Sequence, residues 1–290
     1  MGAVQDIFKA YGQEYISEFS HAMPKEHRKV IHAVVNCRSA EYGLTVYTCK
    51  SCGKSHSVFR SCGNRHCPTC QNHKTRNWLD QRLENQLPIN HFMLTFTVPE
   101  SVRFFIRSNQ RASYEAMFKA SSSSIKTLAA NERFIGGDVP GFFGVLHTWG
   151  RQLTYHPHIH YVVPGGAFST KEKAWRPSRP DFFVPVKALS AMFKARFKDE
   201  MKKAGLYQAI PPEAWETPWN VNCSSVGKNG HGMRYLAPYV FKVAISDSRI
   251  VRVQDHTVTF RYKKPGSERN RTMSLDATEF IRRFLQHVLP

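Results

Sequence analysis

The chain has few acidic residues for its 290-residue length. Asp and Glu number 22 against 41 Lys and Arg, which gives a formal net charge of +19 at pH 7. The excess is spread out, since the first 80 residues hold 11 basic and 6 acidic residues and the last 60 hold 11 and 5. A chain this basic attracts polyanions, and nucleic acid is the usual one. The alternative is a protein that is merely basic.

Long apolar runs are also missing. No stretch reaches the ~18–20 apolar residues that a bilayer-spanning helix needs. The first residues are interrupted by charge and lack a cleavage site after an apolar run, so we expect neither a secretory signal nor a membrane partner. The hydrophobic fraction of 41% and the charged fraction of 22% are near globular averages, which predicts one large or two ordinary folded domains.

Cysteine is scarce outside one short segment. Six of the seven cysteines lie within residues 37–70, and Cys223 stands alone. Without a secretory signal, such a cluster indicates metal binding rather than disulfides. Two Cys-x2-Cys pairs separated by 14 residues predict a zinc ribbon, whose closed shell of four thiolates makes the zinc structural. The predicted ligands are Cys49, Cys52, Cys67 and Cys70.

Further potential ligands and several cations lie beside this zinc ribbon. Either one of the remaining side chains replaces a ribbon ligand or some of them form a second metal site; they are Cys37, Cys62, His56, His66 and His73. The nearby basic side chains suit contacts with DNA phosphates, and the alternative is a solvated surface. The candidates for these contacts are Arg65, Lys74 and Arg76.

Apolar periodicity predicts an α+β protein. Helices are predicted over 5–36 with a break at Pro24, and over 73–86, 100–131, 187–204, 233–245 and 276–288. Strands are predicted over 89–98, 142–149 and 155–163, with a hairpin at 251–254 and 257–262 and at most a short strand within 211–230. The predicted division is a helical, zinc-ribbon DNA-binding domain over 1–88 and a larger α+β domain over 89–290.

The densest chemical signal is the strand segment His156-Pro157-His158-Ile159-His160. The two-residue period of a strand places His158 and His160 on one face and Ile159 on the other. Two such imidazoles can hold one divalent metal ion, which keeps open positions for a phosphate oxygen. The alternative is a half-buried strand whose histidines only form hydrogen bonds with neighbouring residues.

A second signal is a pair of tyrosines, Tyr235 and Tyr239, in a predicted helix. Their spacing of four residues puts both phenols on one helix face. A phenol can attack a phosphodiester and keep the bond energy as phosphotyrosine, whereas the alternative is two ordinary core tyrosines. Because proline disrupts helix interiors, either the helix begins near Ala237 or it bends at Pro238.

Together these motifs resemble the two-tyrosine HUH transposases of bacterial insertion sequences, the rolling-circle insertion sequence ninety-one family. The resemblance extends from about residue 33 to the end, and it is strongest at 49–52, 61–71, 156–160 and 235–239. It implies an N-terminal zinc-binding domain followed by an HUH catalytic domain with an antiparallel sheet and flanking helices. Family members usually continue beyond the point that matches 284–290, so we expect a chain that is short at its C-terminus.

The resemblance also implies roles for individual residues. His158 and His160 would hold a catalytic Mg²⁺ or Mn²⁺, and Tyr235 and Tyr239 would be the nucleophiles. The third metal ligand is open, with His147 as the first candidate; the other candidate donors are His156, Asn222 and His231. The expected DNA contacts are Arg65, Lys74, Arg76, Arg151, Arg234 and Lys242.

The implied function is metal-dependent cleavage and strand transfer of single-stranded transposon ends and target DNA through 5′-phosphotyrosine intermediates. The implied location is the cytoplasm of a bacterium, at the nucleoid. One alternative is a non-catalytic zinc-ribbon protein that binds transposon ends. Another is a nuclease that uses water as its nucleophile and leaves a free 5′-phosphate.

Overall fold

The computed structural model describes residues 2–240, 244–264, 266–267 and 269–290, except for the side chains of Pro238 and Tyr239. The helices are α1 (Ala3–Phe19), α2 (Lys25–Val35), α3 (Asn72–Glu84), α4 (Glu100–Ser108), α5 (Gln110–Ala130), α6 (Val186–Lys203), α7 (Glu213–Glu216), α8 (His231–Val240) and α9 (Ala277–Leu285). The strands are β1 (Leu44–Thr48), β2 (Ser55–Phe59), β3 (His91–Thr97), β4 (Phe143–Trp149), β5 (Tyr155–Pro164), β6 (Gly166–Ser169), β7 (Ala174–Pro177), β8 (Asn220–Gly227), β9 (Ile250–Gln254), β10 (Thr257–Lys263) and β11 (Asn270–Asp276). The class is α+β, as predicted.

The chain divides into two compact units. The first unit comprises Met1–Asn77, Trp149–Tyr155 and Pro238–Leu289, and the second comprises Trp78–Thr148, His156–Ala237 and Pro290. This differs from the predicted division at residue 88, because the C-terminal segment belongs to the same unit as the N-terminal helices. None of the described helices is long and apolar enough to span a bilayer.

The core of the first unit is built from both ends of the sequence. Apolar residues recur along α1 at a spacing of three to four, and Ile7 and Phe8 are fully buried. The Phe8 ring meets Phe284 of α9 edge-on, with centroids 5.1 Å apart. Asp276 caps α9 by accepting a hydrogen bond from the backbone N–H of Thr278 at 2.8 Å. The three-stranded antiparallel sheet β11-β10-β9 belongs to the same unit.

The second unit is organised around a four-stranded sheet in the order β4-β5-β3-β8. β3 runs antiparallel to both β5 and β8. Along β3, Phe92, Leu94 and Phe96 are fully buried, and Phe96 lies 5.1 Å from the ring of Phe193 on α6. The residues between them, such as Thr95, point to the opposite face and are only half-buried. One face of the sheet therefore packs on the core, which leaves the other face for the site described below.

Several elements differ from the sequence prediction. The segment 211–230 contains an eight-residue strand, β8, where at most a short strand was expected. The hairpin of β1 and β2, the pair of β6 and β7, and β11 were not predicted. Helix α8 begins at His231, so the interpretation that it starts near Ala237 is wrong.

Candidate functional site

Three histidines of the sheet form a compact cluster. His147 lies on β4 and His158 and His160 on β5, and their ligating nitrogens all lie within 4.8 Å of one another. His158 pairs with Thr97 and His160 pairs with Thr95 across the β3–β5 ladder, so both lie on the face opposite the buried Ile159, as the strand period predicts. The structure thus brings together the predicted pair and the first candidate for a third ligand.

Hydrogen bonds fix the orientation of two of these rings. Nδ1 of His158 donates to the carbonyl oxygen of His156 at 2.7 Å, and Nδ1 of His160 lies 2.8 Å from Oγ1 of Thr95. Metal-binding histidines commonly engage their second nitrogen in this way. Each ring therefore has Nε2 left to coordinate an ion.

Burial keeps the cluster uncharged at neutral pH. It lowers the pKa of His160 to about 3, with a smaller contribution from His158, and it lowers the pKa of His147 well below its usual value. The pKa of His158 is also lowered by burial. Neutral imidazole is the form that binds metal, so the donor set fits one divalent cation.

Tyr235 on α8 lies beside this cluster. Its ring centroid is 5.9 Å from that of His160, and 51% of the side chain is exposed. The interpretation of Tyr235 as a core tyrosine is therefore wrong. Tyr239 follows one turn later on α8, and its side chain lies outside the described residues, as does Lys242. Arg234 is exposed on the same helix.

Sequence reasoning missed one cation near the histidines, Arg103 of α4. The pKa of His156 is lowered to about 4, mainly by burial and to a smaller extent by the charges of His158 and Arg103. Nε of Arg103 is buried and makes no hydrogen bond among the described residues. No motif surrounds this arginine, so only the fold could reveal its position. His156 itself is not part of the three-histidine cluster.

Of the other candidate donors, Asn222 shares the face of the histidines. It pairs with Thr95 across the β3–β8 ladder, in the same cross-strand row as His160, and it is exposed. His231 is the exposed first residue of α8. His231 does not belong to the group of potential histidine, cysteine and carboxylate ligands that the described residues form at this site.

Four cysteines of the first unit also form a cluster, which is only partly the predicted set. Cys67 and Cys70 lie in it, whereas Cys49 and Cys52 do not; the sulfurs of Cys37, Cys62, Cys67 and Cys70 all lie within 4.8 Å of one another. Sγ of Cys62 is 3.7 Å from Sγ of Cys70, close to the ~3.8 Å separation that Zn–S bonds of ~2.3 Å give at a tetrahedral angle. The donors fit a closed, structural zinc site.

Proton sharing within the cluster agrees with this chemistry. Hydrogen bonds to Cys67 and Cys70 raise the pKa of Cys62, and hydrogen bonds from Cys62 and Cys67 lower the pKa of Cys70 to about 2. One thiolate is thus stabilised at the expense of its neighbours. Only a cation allows all four to ionise together.

The other Cys-x2-Cys pair forms the turn of the β1–β2 hairpin. Cys49 and Cys52 are exposed, and the turn is closed by a hydrogen bond of 2.9 Å from the Gly53 N–H to the Cys49 carbonyl. A hydrogen bond from Ser51, followed by backbone N–H groups, lowers the pKa of Cys49 to about 6. Spacing could not separate the two pairs, because the four-cysteine cluster depends on the packing of Cys37, which lies two residues after the end of α2.

The remaining predicted DNA contacts lie at exposed positions. Arg65 lies in the loop between Cys62 and Cys67, and Lys74 and Arg76 lie on α3. Arg151 donates through Nη1 to the carbonyl oxygens of Lys263 and Lys264, at 3.2 and 2.8 Å, so it supports the end of β10. DNA binding by these residues stays a prediction.

Two family models match the chain. The model described as a putative transposase covers residues 141–290, which include the three histidines and both tyrosines. The model described as a transposase zinc-binding domain covers residues 7–98, which include all six clustered cysteines.

Whole-chain relatives agree with these matches, although no solved structure matches the chain. The chain is 34% identical to the putative transposase y4qJ of Sinorhizobium fredii, over 99% of this chain and 77% of the relative. It is 26% identical to the transposase for insertion sequence element IS801 of Pseudomonas savastanoi pv. phaseolicola, over 90% of this chain and 66% of the relative. With its N-terminal zinc-binding domain, the chain belongs to the IS91 family of transposases.

Proposed function

We propose that this transposase cuts and rejoins single-stranded DNA by transferring a phosphoryl group to tyrosine at the three-histidine cluster. The observation that carries the proposal is the exposed phenol of Tyr235, whose ring lies 5.9 Å from that of His160. A phosphate bound at the histidines would then lie within reach of a nucleophile. Covalent catalysis by a side chain requires this proximity.

The metal-binding role falls to His147, His158 and His160, whose neutral, converging nitrogens fit one divalent ion. Such an ion acts as a Lewis acid that neutralises charge on the non-bridging phosphate oxygens. Imidazole donors favour transition-metal ions, so we expect Mn²⁺ to support activity better than Mg²⁺.

The chain supplies the nucleophile and the phosphate contacts. Oη of Tyr235 attacks the phosphorus in line, loses its proton and forms the new P–O bond as the P–O3′ bond breaks. The leaving oxygen takes up a proton, so the products are a 5′-phosphotyrosine and a free 3′-hydroxyl. A 3′-hydroxyl can later attack the phosphotyrosine and regenerate the phenol. Tyr239 would hold a second strand in the same way.

An unpaired strand suits this site better than a duplex. The histidines are largely buried, so the scissile phosphate must approach the sheet closely, and a single strand bends to do so at little cost. Exposed Arg234 precedes the nucleophile on α8 and suits a neighbouring phosphate. Arg65, Lys74 and Arg76 of the first unit would contact further phosphates.

The test is adduct formation with single-stranded oligonucleotides that carry the ends of the element, in the presence of Mn²⁺. We expect a covalent protein–DNA adduct on denaturing gels that is lost in the Tyr235→Phe/Tyr239→Phe variant and in His158→Ala and His160→Ala. Tyr47→Phe is the matched control, because that exposed tyrosine lies on β1, far in sequence from the histidines and from Tyr235. It should form as much adduct as the unmodified chain.

Three outcomes would contradict the proposal or its assignment of the nucleophiles. Cut strands with a free 5′-phosphate and no adduct would identify water as the nucleophile. DNA binding without any cleavage, across Mn²⁺ and Mg²⁺, would identify a non-catalytic DNA-binding protein. Adduct that persists in the double tyrosine variant would refute the assignment of the nucleophiles.

A further inference from the structure

The turn of the β1–β2 hairpin carries two cysteines, half the number of ligands that a tetrahedral zinc site takes. Cys49 and Cys52 lie there and are both exposed, and Sγ of Cys49 is 3.0 Å from Oγ of Ser51. The hydrogen bonds from Cys49 N to Lys54 O and from Gly53 N to Cys49 O, both 2.9 Å, fold the segment into a tight knuckle. Gly53 adopts φ +69°, a conformation that favours glycine.

The chain offers no ligands to complete this site among its described residues. The other four cysteines of the segment already form their own closed set. No third histidine, cysteine or carboxylate lies with Cys49 and Cys52 in any potential metal-binding group of the described residues. Structural zinc takes four ligands, so a zinc ion held by this pair needs two more than the described residues of one chain bring to it.

We propose that the Cys49–Cys52 knuckle binds zinc together with the same knuckle of a second copy, which joins two chains through a shared four-thiolate site. A two-fold axis through the ion supplies the missing thiolates from an identical surface, as in the isologous interfaces of most homodimers. Each bound thiol releases its proton, so the site contains one Zn²⁺ and four thiolates.

The hairpin next to the knuckle has the surface that such a contact needs. Leu44 pairs with Phe59 across the ladder, so their side chains share a face with Val46, and all three are exposed. Exposed apolar side chains on a strand pair mark a surface whose burial by a partner is favourable. The β1–β2 hairpin of the second copy presents the same apolar face.

The charges at the hairpin tip also favour pairing of two chains through a zinc ion over direct contact between the tips. Lys50 lies within the knuckle and Lys54 follows it, so two tips without metal would repel each other. A zinc ion with four thiolates carries a charge of −2, which the lysines of both copies offset. The pairing should therefore depend on the metal.

The experiment measures zinc content and molecular mass of the purified full chain in the absence of DNA. We expect a dimer with about 1.5 zinc ions per chain, one for the four-cysteine cluster and half for the shared site. The Cys49→Ser/Cys52→Ser variant should be monomeric with about one zinc per chain. The retained ion would show that the four-cysteine cluster is intact and that the first unit is folded.

The matched control is Cys223→Ser, which removes the lone cysteine of β8 and should leave both the dimer and the zinc content unchanged. Val46→Asp should weaken the dimer, because it places a charge in the apolar contact. A monomer with one zinc per chain, a monomer with two, or a dimer that survives in the double variant would each overturn the proposal. None of these readouts involves DNA cleavage, so this proposal fails or stands independently of the proposed cutting and rejoining of DNA.

Discussion

The side chain of Thr95 fixes the orientation of the His160 imidazole, and so the nitrogen that it offers to a metal ion. Its Oγ1 lies 2.8 Å from Nδ1 of His160, whereas the equivalent nitrogen of His158 is held by a backbone carbonyl. The orientation of the His160 ring thus depends on a neighbouring side chain, whereas that of the His158 ring depends on a backbone carbonyl. This difference allows the two supports to be tested separately.

Thr95→Val removes the hydroxyl and keeps the side-chain shape. We expect metal affinity to fall ~10–100-fold, because a ligating histidine without its hydrogen-bonded partner loses orientation. A Mn²⁺ titration followed by electron paramagnetic resonance measures this directly. Thr97→Val is the control, since Thr97 pairs with His158, whose Nδ1 is already satisfied by the backbone. Equal losses in the two variants would contradict the assigned role of Thr95.

The placement of single residues could be predicted from sequence where strand geometry alone determines the face on which a side chain lies. The period of two put His158 and His160 on one face, and the structure agrees. The predicted cysteine set was only partly assembled, because the choice among six thiols depends on tertiary packing. Cys37 is separated in sequence from the loop that it joins, so local spacing carries no signal for it.

At the scale of elements, β3 shows how alternation divides a sheet between core and site. Phe96 is fully buried and packs edge-on against Phe193 at 5.1 Å and Tyr161 at 5.7 Å. On the next helix, α4, Phe104 is 82% exposed. The two phenylalanines, eight positions apart, thus have opposite environments.

Phe96→Ala should lower the free energy of unfolding of the second unit by about 3–5 kcal/mol, since it opens a cavity in a packed aromatic layer. Phe104→Ala should change it by less than about 0.5 kcal/mol. Urea denaturation followed by tryptophan fluorescence reports on this layer, because Trp219 lies 5.1 Å from Phe193. Similar effects of the two substitutions would show that the buried face is misassigned.

Elements with a clear apolar pattern were predicted, and those with a polar outer face were not. β3 and β5 are rich in β-branched and aromatic residues, which indicate strands. β8 carries Asn220, Asn222 and Ser224 on its exposed face, so its composition is that of a loop. Its strand conformation comes from the ladder with β3, which sequence alone does not reveal.

At the scale of the whole molecule, His256 connects distant parts of the first unit. Its Nε2 lies 2.8 Å from Oε2 of Glu14 on α1, and its Nδ1 lies 3.1 Å from Oδ2 of Asp276, the cap of α9. The hydrogen bonds to these carboxylates raise the pKa of His256. The charged imidazolium is therefore favoured in the folded state.

Because the folded pKa is raised, this stabilisation is fully present below the ordinary histidine pKa and is lost as pH rises through the higher, folded value. The melting temperature of the unmodified chain should exceed that of His256→Gln at about pH 5.5, and the difference should shrink towards about pH 8.5. His21→Gln, at an exposed position after α1, is the control and should show no such trend. A difference that stays constant with pH would refute the ion pairs.

The division of the molecule was the least predictable feature. A composition change near residue 88 suggested a boundary, and one unit does begin nearby, at Trp78. The return of Pro238–Leu289 to the first unit depends on contacts such as Phe8 with Phe284, between residues far apart in sequence. No local pattern encodes such a pairing.

This arrangement has a consequence for the order of events during translation. The ribosome releases α1 and α2 well before their core partner α9, which emerges only after the segment Trp78–Ala237 has been made. The segment Trp78–Ala237 can thus complete its core while the earliest helices still lack theirs. The N-terminal helices would thus complete their core later than the segment that follows them, and the four-cysteine cluster would reach its final surroundings only after α9 has emerged.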